Sequence, residues 1–227
     1  TLAHIITAKF WQNVKENGLH LTVAETGWGK ASWGKIYGQW LCGCGVMVYD
    51  FDIFSPDKLL KVIEDFKVTS FCAPPTVYRY FIKKDMKKFD LSHLEHITTA
   101  GEALNPEVFE QVHKQTGLQI MEGFGQTESV LMLGNLVGST AKIGSLGKPT
   151  PLYNIMIADN EGNRLPANEV GEIVVIPSEN QHGIFMGYCG NEDLYANVWK
   201  YGIYHTGDTA YMDDDGYYWY VGRIDDL

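Results

Sequence analysis

The sequence predicts an α/β fold: a parallel sheet with flanking helices, followed by a mostly antiparallel, β-barrel-like unit. Three observations carry this reading. Strand-like and helix-like stretches alternate from residue 19 to residue 121, as they do in parallel sheets with right-handed crossovers. Two of the helix starts repeat one signature, a polar cap followed by proline. Beyond Gly144 the character changes to short alternating strands separated by Asp, Asn and Gly turns.

Leu19, Leu21 and Val23 alternate as a strand, which Glu25-Thr26-Gly27-Trp28-Gly29 breaks as a loop. Ser32 opens a helical stretch through Ile36, Trp40 and Leu41, and residues 46–49 read as a buried strand. Ser55-Pro56-Asp57 starts a helix whose core face is Leu59, Leu60, Ile63 and Phe66. Residues 68–73 form a strand stopped by Pro74-Pro75, residues 76–84 a helix, and residues 94–99 a strand stopped by Ala100-Gly101-Glu102-Ala103-Leu104. Asn105-Pro106-Glu107 repeats the capped start, with Val108, Phe109 and Val112 facing the core. A strand at 118–121 then leads into Glu122-Gly123-Phe124-Gly125-Gln126-Thr127-Glu128.

In the second part, residues 153–158 and 172–176 read as strands around the turn Asp159-Asn160-Glu161-Gly162-Asn163. Residues 191–199 suit a short helix, and 209–212 and 217–221 flank the turn Asp213-Asp214-Asp215-Gly216. The junction falls at 144–151, so the expected division is 1–143 for the α/β part and 144–221 for the β-rich part. In a parallel sheet the loops after the strands emerge on one edge, where ligands of open α/β sheets bind. That places Ala73-Pro74-Pro75, residues 100–104 and residues 123–128 together.

Composition narrows the class of function. The chain has 227 residues, is 45% hydrophobic and 20% charged, and carries a formal net charge of −10, which disfavours broad binding to nucleic acid or anionic membranes. The lysine cluster Lys83, Lys84, Lys87 and Lys88 reads as a solvated helix end. Cys42, Cys44, Cys72 and Cys189 match neither a zinc pattern nor a disulfide framework, and thiols of this kind suit a reducing compartment. No apolar run reaches the roughly 18 residues of a membrane span, and the start carries no signal-peptide pattern. These features predict a cytoplasmic protein. Thr1 and Leu227 show no terminal pattern, so the chain reads as a piece of a longer one whose missing sheet neighbours could favour oligomers.

Three blocks carry chemistry. In residues 122–128, glycines allow close backbone approach, Phe124 offers a flat face, Thr127 a hydroxyl and Glu128 a metal-binding carboxylate. In His205-Thr206-Gly207-Asp208, the carboxylate of Asp208 can accept two hydrogen bonds from a vicinal diol, although an Asp in a turn looks the same. In Gly222-Arg223-Ile224-Asp225-Asp226, the planar fork of Arg223 suits phosphate or ribose oxygens, and a surface ion pair is the plain alternative. There is no Gly-x-x-x-x-Gly-Lys-Ser/Thr loop and no Gly-x-Ser-x-Gly elbow. His93-Leu94-Glu95-His96 has the wrong spacing for a zinc helix.

In this order, Phe124-Gly125-Gln126-Thr127-Glu128, Tyr204-His205-Thr206-Gly207-Asp208 and Gly222-Arg223-Ile224-Asp225-Asp226 resemble the adenylate-forming superfamily. Ala100-Gly101-Glu102-Ala103 and Gly147-Lys148-Pro149 extend the resemblance over nearly the whole chain, and Glu25-Thr26-Gly27-Trp28 looks most like acetyl- and medium-chain acyl-CoA synthetases. The resemblance implies a part of the large N-terminal domain of an AMP-forming acyl-CoA ligase. Such an enzyme activates a small-molecule carboxylic acid with Mg-ATP to acyl-AMP and pyrophosphate, then forms the thioester of coenzyme A.

It further implies that Gly101, Glu102 and Ala103 line adenine, that Phe124 stacks on it, and that Glu122, Gly123, Gly125 and Gln126 complete that wall. Thr127 would bond the α-phosphate, Glu128 would hold magnesium, Asp208 would take the ribose hydroxyls and Arg223 would reach ribose and phosphate. Asp225 would be the hinge to a C-terminal lid, with 222–227 as its start. Trp28 would wall the acyl chain, unless it is a core tryptophan. Gly125 stands where acetyl-specific relatives carry a bulky aromatic, so it would leave room for a longer chain.

Ala103 and Glu25 depart mildly from the pattern, where proline and aspartate are common. The phosphate loop and the lid with its lysine are not in the 227 residues, so little ligase activity is expected of this stretch alone. A nucleotide-binding module of the same fold and an adenylation domain that loads a carrier protein are the alternatives.

Overall fold

The computed structural model describes residues 2–25, 27–179 and 182–226. A seven-stranded sheet is built from β1 (Leu19–Thr22), β2 (Gly45–Met47), β3 (Ser70–Cys72), β4 (His96–Thr99), β5 (Ile120–Gly125), β6 (Leu131–Gly134) and β7 (Lys148–Pro149), in the order β2-β1-β3-β4-β5-β6-β7. The first five strands in that order are parallel. β6 and β7 then pair antiparallel.

The helices α1 (Gly29–Trp33), α2 (Tyr37–Leu41), α3 (Pro56–Asp65), α4 (Pro75–Phe81) and α5 (Pro106–Thr116) connect or flank these strands. The two capped starts form as their chemistry dictates. Ser55 Oγ accepts from the Lys58 N–H at 3.4 Å, and Asn105 Oδ1 accepts from Glu107 N–H at 2.8 Å. The apolar faces of α3 and α5 (Leu59, Leu60 and Ile63; Val108, Phe109 and Val112) are buried with Phe71, Ile97 and Ile120 of the strands. Each such side chain contributes on the order of 1.5–3 kcal/mol.

Four expectations change. The strand read at 46–49 lies at 45–47 and is the edge of the sheet, not its interior, because apolar content alone does not reveal the neighbours of a strand. The helix read from Ser32 splits at Gly34, whose carbonyl turns inward to accept from Gln12 Nε2 at 2.7 Å and Thr22 Oγ1 at 2.8 Å. β5 does not stop at Met121 but runs through Gly125, since its glycines pair with the returning strand β6. The helix expected to reach Lys84 ends at Phe81.

The second sheet comprises β8 (Asn154–Ala158), β9 (Gly171–Ile176), β10 (Tyr204–Met212) and β11 (Tyr218–Arg223), with the short α6 (Glu192–Asn197) between β9 and β10. It is antiparallel throughout, in the order β11-β10-β9-β8. β11 and β8 do not pair with each other, so the described residues form an open sheet and the expected barrel-like closure is absent. Instead, one edge docks on the first sheet. Leu146 N–H donates to Tyr218 O at 2.8 Å, and Tyr218 N–H donates to Gly147 O at 2.9 Å. A common core runs beneath, with Trp11, Met121, Leu131 and Leu133 meeting Ile155, Val175, Tyr204 and Tyr218.

Gly147 makes this docking possible. Its φ is +89°, and a Cβ there would sit 2.1 Å from the Gly134 carbonyl carbon. Gly138 has a similar φ of +83° but open space around it. Gly138→Ala should therefore cost only the left-handed penalty of about 1–2 kcal/mol. Gly147→Ala should lower the melting temperature much further, as seen by thermal denaturation of the two variants side by side.

Candidate functional site

A cavity of about 440 Å³ opens at the edge where the parallel strands end. Its walls come from the loop after β1 (28–30), the loop after β4 (100–103), the end of β5 with the turn that follows (123–128), Leu146, and Asp208, Tyr220 and Arg223 of the second sheet. The loop Ala73-Pro74-Pro75, expected at this edge, does not line it. Helix α4 acts at one remove: Thr76 Oγ1 and Arg79 Nη2 donate to Glu102 carboxylate oxygens at 3.0 and 2.9 Å.

The turn after β5 is held by its own side chains and by the second sheet. Ser129 Oγ accepts from Gln126 N–H at 3.1 Å. The Gln126 side-chain amide donates to Thr206 O at 2.8 Å and to Asp208 Oδ2 at 2.6 Å, while its Oε1 accepts from Tyr204 OH at 2.8 Å. Asp208 is buried and also accepts from Tyr220 OH at 3.2 Å. Arg223 Nη1 lies 3.6 Å from Asp208 Oδ2 and its Nη2 lies 3.6 Å from Asp225 Oδ2. Burial raises the Asp208 carboxyl above its ordinary range, against the opposing pull of Arg223, Gln126 and Tyr220.

Glu128 points its carboxylate to Tyr188 OH, which donates to Oε1 at 2.9 Å. Burial, with Glu128 adding to it, pushes that hydroxyl up to about 12, so it stays a donor at neutral pH. The Phe124 and Tyr220 rings are 6.5 Å apart and inclined at 35°, giving the cavity an aromatic corner. Trp28 is 66% exposed on the rim and is therefore not a core residue. Its neighbour Thr26 lies outside the described residues.

Gly101, Glu102, Ala103, Gly123, Phe124, Gly125, Gln126, Thr127, Glu128, Asp208, Arg223 and Trp28 thus share one cavity. Two other candidates stand apart. The Asp225 side chain is 85% exposed beyond β11, in the turn Ile224–Asp226. Glu122 is buried beneath the 101–104 loop, where its Oε1 accepts from the Leu104 N–H at 3.2 Å. Gly125 lines the cavity, and a Cβ there would lie 2.5 Å from Val130 O, so a larger side chain at this position would require the backbone of the return turn to shift.

Sequence reading missed Lys30, Leu146 and Tyr220 on the walls, and Glu172 behind them. Glu172 accepts from Gly207 N–H at 2.8 Å and pairs with His205 Nδ1 at 2.6 Å, which fixes the bulged segment that carries Asp208. Pairing between β9 and β10 brings Glu172 there, and no local pattern announces it.

A parallel sheet whose edge cavity is completed by a second, antiparallel sheet is the arrangement of adenylate-forming ligases. The comparisons agree: the AMP-binding enzyme family matches residues 6–189, and the chain belongs to that family. Mouse acyl-coenzyme A synthetase ACSM3, mitochondrial, is 38% identical over 224 residues, covering 98% of this chain. Human acyl-coenzyme A synthetase ACSM4, mitochondrial, is 39% identical over 223 residues, again covering 98% of this chain. The chain spans 38% of the length of each of these relatives. Among solved structures, an anthranilate CoA ligase, AuaEII, in complex with anthranoyl-AMP has a TM-score of 0.89 at 28% identity, covering 99% of this chain and 43% of that one. The Brucella canis acyl-CoA synthetase has a TM-score of 0.88 at 26% identity, covering 100% and 42%.

These names correct the expectation of a cytoplasmic protein, because the curated relatives are mitochondrial. Free thiols report a reducing environment and do not say which compartment supplies it. Among the described residues no helix is long and apolar enough to cross a membrane.

Glu122 offers a test of the packing under the site. Burial pushes its carboxyl up to about 8 from the usual 4.5, and its Oε2 has no partner among the described residues. The folded state therefore holds a proton that the unfolded chain releases. The stability that follows is complete below about pH 4.5 and is lost as pH rises through about 8. Melting temperature should fall across that window in the native chain, and Glu122→Gln should flatten the slope.

Proposed function

We propose that this chain supplies the nucleotide- and acid-binding walls of an acyl-CoA ligase that converts a carboxylic acid, Mg-ATP and coenzyme A to acyl-CoA, AMP and pyrophosphate. The observation that carries this reading is the single cavity on which residues 101–103, residues 123–128, Asp208 and Arg223 converge. Two structures of CoA ligases, one holding an acyl-adenylate, share its fold above 25% identity.

On this reading adenine lies against residues 101–103 and the aromatic corner of Phe124 and Tyr220. Asp208 accepts hydrogen bonds from the ribose diol, and Arg223 donates to ribose and phosphate oxygens. Thr127 donates to the α-phosphate. A carboxylate oxygen of the acid bonds to the α-phosphorus as the bond to the bridging oxygen of pyrophosphate breaks. The thiol sulfur then bonds to the acyl carbon, and AMP leaves.

Among the described residues no group of three or more His, Cys, Asp or Glu side chains could hold a metal by itself. One carboxylate suits magnesium, which keeps waters and takes phosphate oxygens, so Glu128 fits the ion that accompanies the nucleotide. That ion would supply charge neutralisation at the transferring phosphate.

Residues 222–226 serve as the start of a hinge with Asp225 as pivot, and the remaining walls come from other parts of the full-length protein. The cations lining this cavity, among the described residues, are Lys30 and Arg223. Two positive charges are a thin field for a triphosphate. Residues 1–227 alone should bind AMP weakly and show little or no acid-, ATP- and CoA-dependent turnover.

The ribose assignment is tested by calorimetry with AMP and 2′,3′-dideoxy-AMP on the full-length protein. Losing charge-assisted bonds worth about 1.5–3 kcal/mol should weaken the dideoxy analogue about tenfold or more. Asp208→Asn should bind the two nucleotides nearly alike. Equal affinity of the native protein for both would remove Asp208 from the ribose.

A further inference from the structure

Three consecutive residues of β10 fall out of register with their neighbour strand. The β9–β10 ladder pairs His205 with Val174 and resumes with Thr209 opposite Glu172, so Thr206, Gly207 and Asp208 stand against Ile173 alone. A bulge of this kind re-aims a side chain and leaves backbone groups without ladder partners, which other groups must then supply. The backbone turns at Gly207, whose φ is +73°. Thr206 Oγ1 donates to Ile173 O at 2.7 Å and accepts from Asp208 N–H at 3.1 Å. Gly207 N–H donates to Glu172 Oε1 at 2.8 Å.

Glu172 uses both of its oxygens. Its Oε2 lies 2.6 Å from His205 Nδ1, and the side chains of His205 and Glu172 are only 14% and 13% exposed. The backbone N–H of His205 donates in turn to Val198 O at 2.8 Å, at the end of α6. Neither Glu172 nor His205 lines the cavity. The bulge they hold nevertheless governs both groups given to the sugar. Asp208 projects from it, and Arg223 rests against it, since a Cβ on Gly207 would lie 3.2 Å from Arg223 Nη2. A charged acceptor on the Gly207 N–H makes this the stronger kind of hydrogen bond.

We infer that Glu172 is a positioning residue for nucleotide recognition: without touching the ligand, it locks the 206–208 bulge so that Asp208 and Arg223 together read the ribose diol. The inference rests on the ligase reading given above. A carboxylate that takes two vicinal hydroxyls must meet both at good distance and angle at once, and hydrogen bonds weaken steeply when either is lost. Gln126 and Tyr220 hold the Asp208 carboxylate by its oxygens, whereas Glu172 holds the backbone from which it projects. The effect of Glu172 therefore falls on the ribose and spares adenine, whose wall at 101–103 belongs to the other sheet.

The test is calorimetry of AMP and 2′,3′-dideoxy-AMP on the full-length protein and its Glu172→Ala and Glu172→Gln variants, with steady-state KM values alongside. Glu172→Ala should lose about tenfold in affinity for AMP and little for the dideoxy analogue, so that the preference for the diol collapses. The KM for ATP should rise while the KM for the acid stays where it was. Glu172→Gln, which keeps an acceptor for the Gly207 N–H, should recover most of the preference. A folded Glu172→Ala protein that keeps the native preference, or that loses affinity for both nucleotides equally, would overturn the inference. If Glu172→Ala does not fold, His205→Ala decides, because it frees one carboxylate oxygen and leaves Glu172 in place: a reduced preference supports the inference and an unchanged one overturns it. Equal affinity of the native protein for the two nucleotides is a separate result, which removes the ribose reading of Asp208 and this inference with it.

Discussion

The carboxamide of Gln126 is the contact on which both walls of the cavity depend. It sits in the turn where the parallel sheet reverses into β6, yet all three of its side-chain hydrogen bonds go to β10 of the other sheet. The bonds to Thr206 O and from Tyr204 OH each contribute about 0.5–1.5 kcal/mol, a bond to a carboxylate such as Asp208 about 1.5–3 kcal/mol, and a buried group left without one costs more. The amide thus does more than add stability. It fixes where Thr127 and Glu128 stand relative to Asp208 across one cavity, although the two segments are distant in sequence.

Asp208 is held from several sides at once. Gln126 and Tyr220 donate to its oxygens, Arg223 faces it, and Glu172 anchors the bulged backbone just before it. A carboxylate so placed loses little freedom when a ligand arrives, which is how preorganised sites save affinity. Tyr188 does the same for Glu128 from the 182–190 segment.

The charge balance of the cavity sharpens what it must be given. Three acids, Glu102, Glu128 and Asp208, line it with two cations, Lys30 and Arg223, in a chain of net charge −10. Glu102 is neutralised by Arg79 at 2.9 Å, and Asp208 faces Arg223. An anionic nucleotide would approach such a surface most readily with its own cation. On the ligase reading proposed above, the carboxylate of Glu128, to one oxygen of which the Tyr188 hydroxyl donates, would meet that cation.

What the sequence determined by itself is local. The caps at Ser55 and Asn105 and the alternation of strands and helices were legible because each is set by neighbours within a few residues, whereas the blocks at 100–103, 205–208 and 222–226 stood out only by their resemblance, in order, to a known family. The tertiary structure decided the rest. Whether residues 45–47 form an edge and whether Glu122 reaches the cavity or is buried beneath Leu104 both turn on partners distant in sequence. The same holds for Lys30 and Tyr220, whose types carry no motif and which enter the site only because the segments after β1 and in β11, from two different sheets, come to one cavity. Hydrophobic period and turn chemistry are properties of a segment, whereas pairing order and side-chain enclosure are properties of the packed whole.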